Sequence, residues 1–131
     1  MKPFLASVFL FLQFLSNSNV QADIVDDLIV HFKNGNSKEI AKSFASSVEL
    51  LILDQEDVYS KVQSEQILKD FFAKNPPVKT TVIHRLNSNP AFKFGVFSLH
   101  SKNARFRVTL TLRWQKSINA FLITELRIEK D

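Results

Sequence analysis

The stretch Arg105–Gln115 (RFRVTLTLRWQ) alternates apolar and polar side chains without a break. Phe106, Val108, Leu110, Leu112 and Trp114 fall on one face, and Arg105, Arg107, Thr109, Thr111, Arg113 and Gln115 on the other. A period of two sustained over this length specifies a β-strand with one dry and one wet face. Similar runs occupy residues 78–86, 92–101 and 120–128, separated by the short polar strings Asn87-Ser88-Asn89-Pro90, Lys102-Asn103-Ala104 and Lys116-Ser117-Ile118-Asn119. Connections this short make successive strands antiparallel neighbours. The C-terminal half is therefore a predicted meander that needs an apolar layer over one face.

The first half supplies that layer. Ile24, Val25, Leu28, Ile29 and Phe32 form one stripe at helical spacing, and the helix is predicted to stop near Asn34-Gly35, with Gly35 as its C-cap. Asn36 with Glu39 three positions on resembles a capping box restarting a second helix that carries Ile40, Ala41 and Phe44. Residues 48–53 and 57–59 bracket Asp54-Gln55-Glu56 as a first hairpin. Ser60 and Gln63 form another capping box, and the helix behind them presents Ile67, Leu68, Phe71 and Phe72 on one face before Asn75-Pro76-Pro77 ends it. The sum is an α+β domain, a bent antiparallel sheet packed against N-terminal helices and one further helix.

Ahead of this domain, Lys2 and the apolar run of residues 4–15, followed by Ser16-Asn17-Ser18-Asn19 and Val20-Gln21-Ala22, have the n-, h- and c-region order of a cleavable signal peptide. The run is short of the roughly 20 apolar residues that span a bilayer. Residues 1–22 are thus expected to be removed, leaving a single domain over residues 23–131. Loss of Lys2 from the 17 basic residues leaves 16 against 13 acidic ones, a mature charge of +3. There is no cysteine, which excludes disulfides, thiolate metal sites, cysteine nucleophiles and a lipid attachment point together. No N-x-S/T acceptor occurs either, and both absences favour a bacterial origin. The expected product is exported, periplasmic or secreted, soluble and not lipid-anchored.

The order of elements resembles a known family. The strings that carry the likeness are Asn34-Gly35-Asn36, the hairpin end Val58-Tyr59-Ser60-Lys61, the helix Gln63-Ser64-Glu65-Gln66-Ile67-Leu68-Lys69-Asp70-Phe71-Phe72, and Asn75-Pro76 before four long strands. Together they look like the small exported Bacteroidetes proteins grouped as domain of unknown function 4783. That resemblance implies a cone-shaped nuclear-transport-factor-2-like (cystatin-like) fold over essentially the whole mature chain. It implies no established activity, so no catalytic residue is carried over.

Folds of this superfamily commonly hold a pocket between bent sheet and helices. By that analogy alone, Phe71, Phe72 and Trp114 are candidate lining residues, and nine phenylalanines outside the signal segment suffice for a core and an apolar pocket. The titratable candidates for proton transfer are Tyr59, His84 and His100, with Asp54, Glu56 and Asp57 near the first hairpin. Fold-level analogy is the only support for a catalytic pair among them. His84 and His100 lack the third and fourth ligands that zinc requires, and neither a metal nor another cofactor is expected. Arg105, Arg107 and Arg113, with Arg127 on the last strand, form a row that could attract an anion, although solvation of an outer sheet face is the better reading. Phe92, Phe94 and Phe97 around Lys93 suggest a stacking platform, but aromatic strand positions are usually core, and nucleic acid is not an expected partner.

The expected function is a non-enzymatic module that binds a small apolar ligand or another exported protein. The alternatives are a pocket enzyme of the isomerase or dehydratase kind, by fold analogy, and a homodimer formed through the sheet. Amino-terminal sequencing of the exported form should begin at Asp23; a sequence beginning at Met1 would contradict the cleavage.

Overall fold

Asp23 starts the first helix, its Oδ1 accepting the Val25 N–H at 2.9 Å, and Asp26 and Asp27 place negative charge in the first turn where the helix dipole favours it. The computed structural model describes residues 23–131, so the signal segment of residues 1–22 lies outside the described residues. Helix α1 (Ile24–Lys33) buries Val25, Leu28, Ile29 and Phe32 and ends as the sequence predicts, with Gly35 at φ 63 donating its N–H to the Phe32 carbonyl. A Cβ at Gly35 would lie 3.3 Å from Pro77 Cδ, so glycine serves both the left-handed turn and the packing behind it.

Helix α2 (Ser37–Ala41) is shorter than expected. Asn36 Oδ1 accepts the Glu39 N–H at 3.3 Å, but Glu39 does not return the bond. Its carboxylate takes the Lys42 ammonium at 2.9 Å instead, and that hydrogen bond holds the Glu39 carboxyl below its usual range. The helix stops at Ala41, and Phe44, expected on the helix, opens strand β1 (Phe44–Ile52), where it pairs with Ile123. The turn that follows is Leu53-Asp54 rather than residues 54–56. Leu53 adopts φ 55, a conformation usual at the start of a two-residue hairpin turn, which frees Gln55 and Glu56 to pair with Ile52 and Leu51 in strand β2 (Gln55–Ser60).

Helix α3 (Lys61–Lys74) has the complete capping box: Gln63 N donates to Ser60 Oγ at 3.2 Å and Ser60 N to Gln63 Oε1 at 3.1 Å. Its buried stripe is Ser64, Leu68, Phe71 and Phe72, with Ile67 half-buried. Strands β3 (Pro77–Leu86), β4 (Phe92–Ser101), β5 (Arg105–Gln115) and β6 (Ala120–Lys130) form the predicted meander. The full sheet runs β2-β1-β6-β5-β4-β3, and β1 joins β6 in parallel, the one parallel pairing among the described strands. Register breaks between Phe44 and Glu49, between Thr111 and Leu112, and at two points on β3 bend the sheet.

All three helices lie on one face. There Phe44, Val48, Leu50 and Ile52 of β1, Phe106, Val108, Leu110 and Leu112 of β5, and Leu126 and Ile128 of β6 are buried. Trp114, expected to continue this face, is 39% exposed because it lies at the end of β5 beyond the buried row.

Two substitutions test this packing. A Cβ at Gly95 would stand 2.8 Å from Val25 Cγ1, so Gly95→Ala should lower stability by about 2 kcal/mol, and by less than half of that in a Val25→Ala background. Ser64 is fully buried and its Oγ has no partner; Ser64→Ala should therefore raise stability by about 1 kcal/mol. Denaturant titration of the four variants against the parent measures both.

Candidate functional site

The space between helices and sheet is occupied by a run of five aromatic rings. Phe97 meets Phe32 at 5.2 Å between centroids, Phe32 meets Phe72 at 5.8 Å, Phe72 meets Phe71 at 5.8 Å, and Phe71 meets Phe106 at 5.0 Å, each edge to face. Such contacts stabilise a core beyond the area they bury, by about 1 kcal/mol a pair. Phe71 and Phe72, candidates for lining an interior pocket, are therefore core residues. Phe71 also borders a shallow outer groove with Ile52, Ile67 and Lys74. Trp114 is apart from both, edge-on to Phe121 at 5.1 Å, with the Lys93 ammonium 4.8 Å from the Phe121 ring centre.

The titratable candidates do not converge. Tyr59 is on β2, opposite Val48 on the helix-covered face and against the core. His84 is exposed on β3, at the opposite edge of the sheet, about 24 Å away by five strand spacings. His84 pairs with Val96, and His100 lies four residues further along β4, which is about 13 Å. No group of three or more His, Asp or Glu side chains among the described residues is placed to hold a metal ion.

The arginine row is divided as well. Arg105 and Arg107 reach the Asp131 carboxylate at 3.4 and 3.7 Å, and Arg127 reaches Glu129 at 3.2 Å. Arg113 lies eight residues along β5 from Arg105, about 26 Å in an extended strand, and the two do not meet on one anion.

What the fold does assemble is a trough on the uncovered face of the sheet, across β2, β1, β6 and β5. It consists of two adjoining depressions of about 300 and 420 Å³ that share Glu49, Val58 and Glu125. Arg127, Glu56 and Asp57 border the first; Thr111 and Arg113 border the second. The second depression lies beside an irregularity in the pairing: between the pairs Phe44 with Ile123 and Glu49 with Glu125, β1 spends five residue steps against two on β6. Glu49 and Glu125 are direct partners in the parallel register, and Thr111 Oγ1 donates to Glu125 Oε1 at 3.5 Å. Like charges on paired strands repel. Glu56 and Asp57 were picked out from sequence; Glu49 and Glu125 were not. They are 76 residues apart and adjoin only through the parallel pairing, for which a meander pattern gives no local sign.

No helix among the described residues is long and apolar enough to cross a membrane. A comparison with curated proteins found no match. Among solved structures, a domain of unknown function 4783 family protein from Bacteroides uniformis is 27% identical with a TM-score of 0.77, covering 83% of this chain and 98% of its own. A structure named Rd1NTF2_04 with long sheet superposes with a TM-score of 0.63 at 15% identity, over 79% of this chain and 94% of its own. A Nostoc punctiforme domain of unknown function with a cystatin-like fold does so with a TM-score of 0.61 at 8% identity, over 79% and 70%. The last two share the fold alone, and it is the nuclear-transport-factor-2-like, cystatin-like fold that the sequence resemblance implies. The family model for domain of unknown function 4783 matches residues 25–129, nearly the whole described region, and the chain belongs to that family.

Proposed function

We propose that the chain is an exported, non-enzymatic protein-interaction module that works through the uncovered face of its sheet. The observation that carries this reading is the filled interior. With Phe32, Phe71, Phe72, Phe97 and Phe106 in mutual contact, the place where a cone-shaped fold would hold a small apolar ligand is occupied by the protein itself. Tyr59, His84 and His100 are dispersed over two faces and both edges, so these three do not converge on one volume, which favours the non-enzymatic reading.

The uncovered face, by contrast, combines the charged trough with half-buried apolar side chains, Phe92, Phe94 and Val96 on β4 and Leu122 on β6. A partner presenting lysine or arginine would relieve the repulsion between Glu49 and Glu125 on binding. Contacts of that kind raise association rate and specificity more than bulk affinity. Export rests on the order of regions in residues 1–22 and places the partner outside the cytoplasm.

Cross-linking in the native exported fraction followed by mass spectrometry tests the reading. Cross-links to a second protein should map to the trough, and Glu49→Lys with Glu125→Lys should abolish them while the thermal midpoint stays within a few degrees. Recovery of the chain with a stoichiometric small molecule, or cross-links that survive the double substitution, would overturn it.

A further inference from the structure

We propose that the two edges of the sheet are complementary strips through which copies of this chain associate head to tail, β2 of one copy adding to β3 of the next. Among the described residues both edge strands keep one side of their backbone unpaired, since there β2 pairs only with β1 and β3 only with β4. Such a row of free N–H and C=O groups accepts a further strand.

Three observations select the partner. The first is where exposed apolar side chains lie: Val58 on β2, 58% exposed, and Val78, Val82 and Ile83 on β3, 60%, 45% and 49% exposed. Leu53 and Val62, at the two ends of β2, are exposed as well. The second is charge. Asp54 precedes β2, which carries Glu56 and Asp57 and no lysine or arginine; β3 carries Lys79 and Arg85 and no acid, with Lys74 just before it. Pairing β2 with β2, or β3 with β3, brings like charges together, and only the mixed pair is attractive.

The third is direction. Passing from β2 across to β3, the sheet makes four antiparallel steps and one parallel step, so the two edges run the same way. A copy that continues the sheet with its helices on the same side therefore sets β2 parallel to β3. In that alignment the acidic start of β2 meets the basic start of β3. The far end of β3 is already neutralised, because Arg85 is bound by Asp26 of α1. A heterologous contact of this kind repeats instead of closing into a two-fold dimer. With six residues in β2 the ladder is only about 20 Å long, so the association is weak and grows with concentration.

Sedimentation velocity on the chain lacking residues 1–22, over a range of protein concentrations at about 20 and about 500 mM salt, tests this. The weight-average mass should rise with concentration at low salt and return to the monomer at high salt. Glu56→Lys with Asp57→Lys gives two basic edges, and Lys79→Glu with Thr81→Glu gives two acidic ones. Each variant alone should weaken self-association about tenfold or more, and an equimolar mixture of the two should restore it. A compact monomer with an unchanged melting profile shows that each variant folds. A parent that stays monomeric at low salt, or association that neither variant weakens, would overturn the proposal; the latter result would move the contact to the sheet face.

Discussion

The close approach of α1 to the sheet governs the rest of the structure. Val25 sits against the bare backbone of Gly95, where a Cβ would come within 2.8 Å. From that point the helix lowers Phe32 between Phe72 and Phe97. A longer side chain at residue 95 would lift α1 and open the layer that the five rings now fill. Rings in mutual edge-to-face contact pack densely and leave few voids. The same contact that stabilises the fold thus brings the five rings together between helices and sheet.

On that surface the parallel pairing of β1 with β6 has the largest effect. It fuses the N-terminal hairpin to the meander and sets Glu49 beside Glu125. It also makes β2 and β3 the two edges and gives them a common direction. The misfit in that pairing between Phe44 and Glu49 lies beside the second depression of the trough. One topological choice therefore supplies both the face and the edges on which the functional proposals rest.

Local features were legible in the sequence and long-range ones were not. The Ser60 and Gln63 box, the Gly35 stop and the alternation of β5 are encoded within a few residues and appear where expected. Phe44 lies on a strand and not on α2 because it pairs with Ile123 of β6, a contact 79 residues away that local spacing does not show. The hairpin turn was misread because Leu53 adopts a conformation usually left to glycine or asparagine. Phe71 and Phe72 were correctly placed on the inner face of α3, yet whether a ring lines a pocket or fills it depends on Phe32, Phe97 and Phe106 from three other elements. The trough escaped notice for the same reason, since its two central carboxylates come from the first and last strands.

The proposed function rests on a filled layer between helices and sheet. Diffraction from crystals held under xenon pressure tests it directly, because xenon occupies dry apolar cavities large enough to admit it. No xenon should bind among Phe32, Phe71, Phe72, Phe97 and Phe106. An ordered xenon atom within that cluster would contradict it and return the interior to consideration as a ligand site.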